Sequence, residues 1–212
     1  MKYWKPNELL SVLQAARNHS VRNHLVVLLS FKHGLRSSEV CRLTVKDVQH
    51  GRLDCKRLKG SLHTNRPLES DPNPLLDEKA SLAAWLRERG NDSSPFLFTS
   101  RLSSDARQKY AAIRTADVPG RMKNRPVTGI SRDTVGDIFE AAATTAGLEP
   151  GRRNPHTAKH TLGALAYRAG VDTFAIQQLL GHVDSKATQI YAGCTQDEAH
   201  EKAQNKMSAI FA

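Results

Sequence analysis

The stretch HTAKHTLGALAYRAGVDTFAIQQLLGHVDSKATQIYAG, residues 156–193, decides how this chain is read. His156, Lys159 and His160 fall within about one turn of a helix start that Pro155 introduces. Gly170 and Gly181 punctuate the downstream chain, giving helices over 156–169 and 172–180, with a last helical turn over 184–191. His182 comes directly after the second glycine, and Tyr191 nine residues later. Packing alone does not ask for imidazoles and a lysine at a helix start. Such a group suits an anion, because the free N–H groups and the helix dipole add to the side-chain charge.

The composition points the same way. Lys and Arg number 31 against 21 Asp and Glu, a net charge of +10, and the isoelectric point is near 9.8. A surplus of that size favours a polyanionic partner, of which nucleic acid is the commonest. With 39% hydrophobic residues among 212, the chain can build a core and suits one compact domain. Cys41, Cys55 and Cys194 are odd in number and lack paired spacing, which excludes a disulfide framework and a cysteine zinc site and fits a reducing cytoplasm. The N-terminus MKYWKPNELL has no apolar signal core, and the apolar run Leu25–Leu29 is too short to span a bilayer.

Upstream, Pro6–His19 reads as a helix burying Leu9, Leu13 and Ala16, and Val21–Lys32 as a central helix that Gly34 stops. Ser37 is placed to cap a short third helix with Glu39 in its first turn. Arg36 then stands at a helix junction, as an anion ligand or as the local partner of Glu39. Alternation of Val48, Leu53, Cys55 and Leu58 among polar residues predicts short antiparallel strands near 47–50, 53–58 and 65–69, with Lys59 on a hairpin tip. Leu75–Arg89 reads as a helix turning Leu76, Ala80, Ala83, Ala84, Trp85 and Leu86 inward, and 95–98 as extended. Residues 99–130 are basic and aperiodic, and a Ser131-capped helix runs to Thr145. The sum is a mainly α fold with a small antiparallel sheet, of α+β class.

On these residues the chain resembles the tyrosine recombinases, the phage integrase family. HTAKH, LLGH and Tyr191 are similar to that family's His-x-x-Arg-His, Leu-Gly-His and tyrosine signature. HGLRSSEVCRLTVKDV resembles its first-arginine box, and RLKGSLHTNRPL its lysine-bearing β-hairpin. Three boxes in order across residues 6–193 make a specific match. The texture of the two upstream boxes is nearest the short fimbrial phase-variation invertases.

The resemblance implies a catalytic set of Tyr191, Arg36, Lys59, His156, Lys159 and His182. Tyr191 is then the nucleophile and Lys59 the general acid. Arg36, His156, Lys159 and His182 stabilise charge on the non-bridging oxygens. Glu39 and His160 are expected as supporting residues. Arg42, Arg57, Arg66, Arg121, Lys123, Arg125, Arg152 and Arg153 are expected to contact DNA. No cofactor is implied. The partners implied are double-stranded DNA, further copies in a dimer or tetramer, and accessory DNA-bending proteins, in the cytoplasm of a bacterial, phage or mobile-element host. Residues 1–194 are expected as the catalytic domain, without a preceding core-binding domain, as in a short recombinase or a fragment of a longer integrase, and 195–212 as a terminal helix that either docks on a neighbour or packs on its own domain.

One departure stands out: the family's second arginine is Lys159 here. Lysine keeps the charge and loses the planar fork. Loss of one charge-assisted hydrogen bond is worth roughly 1.5–3 kcal/mol, about ten- to hundredfold in rate. Lys159 also supports an alternative, a catalytically weakened DNA-binding regulator. Two further alternatives are a relaxing activity of the type IB topoisomerase kind, which uses the same chemistry, and a metal site on His156, His160 and His182, which Lys159 disfavours by repulsion.

Overall fold

The computed structural model describes residues 2–58, 62–90, 94–99 and 129–181. Helix α1 (Pro6–His19) and helix α2 (Val21–His33) form an antiparallel pair broken at one residue, Ser20. Ser20 is extended, closes α1 with its N–H on the Ala16 carbonyl, and caps α2 by accepting from the Asn23 N–H. Leu25 to Leu29 are at most 1% exposed. Helix α2 is therefore the centre of the core, packed against α1, helix α4 (Glu78–Arg89) and helix α6 (Pro155–Arg168). Helix α5 (Arg132–Thr145) lies on α1, and the eight-residue helix α7 (Thr173–Leu180) lies on α6.

The N-terminal strap holds three of these layers together. Trp4 is fully buried, stacks on Phe139 of α5 at 6.1 Å, and donates from Nε1 to the Arg152 carbonyl at 2.9 Å. Its backbone N–H donates to Thr161 Oγ1 of α6 at 2.9 Å. An aromatic side chain of this size, with its polar atoms satisfied, is among the strongest anchors a core can have.

The sheet has two strands, β1 (Arg52–Cys55) and β2 (Thr64–Pro67), antiparallel, with Leu53 opposite Arg66 and Cys55 opposite Thr64. The strand expected at 47–50 is instead a 3-10 turn, Val45–Val48. The cause is local: Asp47 Oδ2 accepts from the Thr44 N–H and hydroxyl at 2.7 and 2.8 Å, which curls the chain. His50 and Gly51 then both take positive φ, a tight turn into β1.

Two other expectations shift, the first by one residue and the second by about a turn. Ser37 is the first residue of helix α3 (Ser37–Val40), and the capping position is Arg36. Helix α4 begins at Glu78 rather than Leu75, because the turn through Asp71 and Asn73 extends to Leu76 and Asp77 then caps the Ala80 N–H. Its inner face carries Ser81, Leu82 and Trp85, while Ala80 and Ala83 are exposed. Trp85 sets that face by stacking on Phe98 and donating to the Leu97 carbonyl, and alanines have too little surface to oppose it. The extended segment at 95–98 is observed, with an isolated bridge between Thr44 and Phe96.

No described helix is long and apolar enough to cross a membrane. Cys41 and Cys55 are buried thiols outside any disulfide among the described residues, and burial pushes the Cys55 thiol up to about 11.

Candidate active site

Arg36 is held by the way α2 ends. Gly34 adopts φ +60, a left-handed cap, and a Cβ there would lie 3.1 Å from Leu180 Cδ2. The next residues extend, and Arg36 opens α3. Its N–H donates to Glu39 Oε2 at 2.8 Å, and its Nη1 donates to Glu39 Oε1 at 3.1 Å and to the Leu58 carbonyl at 3.3 Å. The Arg36 side chain keeps 24% of its surface, whereas Glu39 is sealed. The local ion pair and a partly exposed Arg36 side chain thus coexist.

The Glu39 carboxylate also accepts from Arg57 Nη1 at 2.8 Å and from the Leu58 N–H at 3.2 Å. Burial opposes its charge; the Arg36 N–H, the Arg57 cation, the Leu58 N–H and the Arg36 cation outweigh it and hold the carboxyl below its ordinary value. Glu39 thus fixes two arginines and the backbone at Leu58.

Lys159 is 7% exposed and donates from Nζ to the Leu180 carbonyl, the last residue of α7, at 2.9 Å. Burial, then the Arg36 and Arg57 cations, lower its ammonium from 10.5 to about 7, with Glu39 opposing. Arg36 and Arg57 thus bond one carboxylate, with Lys159 within the field of all three.

Helix α6 is capped by Asn154, whose side chain accepts from the Thr157 N–H, and Pro155 takes the first position. His156 is exposed in the first turn, and His160 is half-buried one turn on. Burial and the neighbouring His156 and Lys159 lower the His160 imidazole, so it favours the neutral form at neutral pH. Among the described residues no three His, Cys, Asp or Glu side chains form a metal-binding group.

The structure thus brings Arg36, Glu39 and Lys159 together, with His156 and His160 on the same helix as Lys159. Lys59, His182 and Tyr191 lie outside the described residues, as do Arg121, Lys123 and Arg125, the 184–191 turn and the terminal helix from 195.

Four of the arginines expected at DNA have partners within the fold. Arg57 is sealed from solvent and bonds Glu39 together with the His33, Gly34 and Leu180 carbonyls. Arg66, half-buried, donates to the Leu179 and Lys32 carbonyls. Arg152 pairs with Glu8 and donates to the Tyr3 carbonyl, and Arg153 donates to the Leu148 carbonyl and Glu140. Each guanidinium is committed within the fold. Arg42 is exposed. The inward course of Arg57 was available from strand parity, since Leu53, Cys55 and Arg57 alternate on one face. The Leu180 carbonyl, the partner of Lys159, carried no sequence signal.

Comparison with known proteins places this geometry. Residues 2–198 match the model of the phage integrase family, and the chain belongs to that family. It is 30% identical over 190 residues to tyrosine recombinase XerA of Pyrococcus furiosus, covering 89% of this chain and 56% of that protein's length. It is 28% identical over 200 residues to the type 1 fimbriae regulatory protein FimE of Escherichia coli K12, covering 90% of this chain and 84% of FimE. The XerH site-specific recombinase, solved bound to its difH substrate before cleavage, superposes with a TM-score of 0.70 at 20% identity, over 96% of this chain and 54% of that one. A lambda integrase tetramer on a Holliday junction matches with a TM-score of 0.61 at 19% identity, over 92% and 50%. The fold is that of the tyrosine recombinase catalytic domain.

Proposed function

We propose that the chain is a site-specific DNA recombinase that cleaves and rejoins DNA through a 3′-phosphotyrosine. The observation that carries this reading is Arg36, whose side chain keeps 24% of its surface while its guanidinium bonds a buried Glu39 in the field of Arg57 and Lys159. That arrangement suits the non-bridging oxygens of a phosphodiester as charge builds in the transition state.

In this reading Tyr191 attacks phosphorus and the bond to the 5′-oxygen breaks, with Lys59 supplying the proton to the leaving oxygen. Arg36, Lys159, His156 and His182 hold the equatorial oxygens. The phosphotyrosine conserves the energy of the broken bond, so rejoining needs no ATP, and the side-chain cations take the place a metal would fill. Residues 1–194 act as the catalytic unit. Residues 195–212 dock on a neighbouring copy in a DNA-bound dimer or tetramer, with DNA-bending proteins assisting. Similarity to relatives that act as recombinases or as a fimbrial regulator supports the reading.

The test is incubation of the protein with a library of nicked suicide duplexes carrying randomised sites. A denaturation-resistant protein–DNA adduct that Tyr191→Phe abolishes is the expected result. Sequence-selective binding without any adduct overturns it in favour of the regulator that Lys159 suggested.

A further inference from the structure

Helix α7 has only eight residues and buries just Ile176 and Leu180. So small an apolar anchor does not by itself fix the end of a helix, yet that end leads directly into Gly181 and His182. Its last carbonyls are each taken by another element. Leu179 accepts from Arg66 Nη1 at 3.0 Å, Leu180 from Arg57 Nη2 at 3.4 Å and from Lys159 Nζ at 2.9 Å, and Gly181 from the Leu62 N–H at 3.3 Å.

The same two arginines grip the end of α2. Arg66 Nη2 donates to the Lys32 carbonyl at 2.7 Å, and Arg57 donates to the His33 and Gly34 carbonyls at 2.8 and 3.2 Å. The last carbonyls of a helix have no partner within it, and the C-terminal end carries partial negative charge. Two such ends brought side by side repel unless cations stand between them. Arg57, just past β1, and Arg66, on β2, stand there.

We infer that Arg57 and Arg66 are positioning residues: a two-arginine clasp from the β-hairpin that locks the end of α7, through Gly181, to the end of α2. The clasp also joins the two halves of the proposed site along the sequence. Arg57 precedes Lys59 by two residues, and Gly181 precedes His182 by one. Arg57 further reaches Glu39, which orients Arg36, so one side chain spans the α2 end, the α3 box and the α7 end. Gly181 is fitted to it: its φ is +65, and a Cβ there would lie 3.1 Å from Arg57 Nε. The inference rests on the recombinase reading only for its consequence in catalysis.

The experiment measures residue-resolved amide hydrogen exchange on the full chain and on Arg66→Met and Arg66→Lys. Arg57→Lys is added, since Arg57→Met strips the sealed Glu39 of a partner and endangers folding. The amides read are Leu62, bonded to the Gly181 carbonyl, and Gly181, bonded to that of Gln178, with Leu97, bonded to that of Leu43, as a remote control. Arg66→Met is expected to speed exchange at Leu62 and Gly181 about tenfold or more with Leu97 unchanged, and Arg66→Lys to recover part of the loss. On a captured DNA substrate, the same variant is expected to lower the rate of adduct formation about tenfold while DNA affinity holds within about twofold.

Exchange that stays at the parent level, or that rises equally at Leu97, overturns the clasp. Failure of the parent protein to form any adduct overturns the recombinase reading instead and leaves the exchange result to decide the clasp.

Discussion

Lys159 Nζ donates to the Leu180 carbonyl at 2.9 Å, so a buried ammonium on α6 is tethered to the last residue of α7. This is the position where the phage integrase family otherwise carries an arginine, and the tether shows how lysine is accommodated. A point charge reaches one carbonyl and stays within the field of Arg36 and Arg57, where burial and those cations bring it from 10.5 to about 7.

The consequence for stability has a definite sign. A lysine with a lowered value in the folded state disfavours folding while it is charged in both states. The penalty is complete below pH about 7, shrinks as pH rises from 7 to 10.5, and is gone above. Urea denaturation in phosphate-free, low-salt buffer is therefore expected to show Lys159→Met gaining on the parent at pH 6 by about 1–2 kcal/mol more than at pH 9. A gain that is the same at both pH values would sink the assignment of this charge.

Replacing Lys159 with arginine separates fold from chemistry. The guanidinium is larger, stays charged at every working pH, and enters a packed site beside two other arginines. Stability is expected to fall by about 1–3 kcal/mol. Adduct formation with a captured suicide duplex is expected to rise about tenfold at pH 8.5, where the parent's Lys159 is largely neutral until DNA binds, and by less at pH 6. An unchanged adduct rate at pH 8.5 contradicts the role given to this side chain.

Glu39 makes the opposite prediction with acid. Its folded value lies below the unfolded one, so its contribution is present above the unfolded value and is lost as pH falls through the folded value. Glu39→Gln leaves Arg57 sealed beside a neutral amide, a change expected to cost roughly 3–5 kcal/mol. The variant should also lose less stability than the parent between pH 5 and pH 3. Equal acid sensitivity in the two proteins would show that the carboxylate is not the titrating group.

How much of this was legible in the sequence depends on where the information sits. Helix ends were readable because their chemistry is local: Gly34, Ser131 and Gly181 act within one turn of themselves. Arg36 and Lys159 could be nominated from motifs because the spacing of each box is short-range. What stayed hidden was long-range. Strand parity turns Arg57 inward, but nothing local names its acceptors, which lie at the ends of α2 and α7 and on α3, up to 123 residues away. Arg66 and Arg152 likewise reach acceptors 113 and 144 residues away. A positive charge count says that an anion is welcome somewhere, and only the fold says which cations already have partners.

That distinction can be measured on DNA. Arg42 is exposed, while Arg153 is tied to the Leu148 carbonyl and Glu140. If Arg42 meets a phosphate, Arg42→Ala lowers the salt dependence of DNA binding by about 0.9 in the slope of log K against log salt. Arg153→Ala should leave the slope unchanged. Fluorescence titrations over a salt series distinguish the two, and equal slopes for both variants would refute the partition into surface and internal arginines.

Gly181 offers the most direct check on the geometry at the end of α7. Both Gly181 and Gly51 have positive φ, +65 and +68, but a Cβ at Gly51 meets nothing within 4 Å whereas one at Gly181 lies 3.1 Å from Arg57 Nε. Gly51→Ala thus reports the backbone term alone, about 1–2 kcal/mol for a left-handed residue with a Cβ. Gly181→Ala adds contact with an arginine that four acceptors hold in place, so it cannot swing aside freely. The excess cost is expected to be at least about 1 kcal/mol by urea denaturation, and it should diminish in an Arg57→Lys background, where the planar fork is gone. Equal costs for the two glycines, or an excess that survives Arg57→Lys undiminished, would mean that Arg57 does not define the space around Gly181.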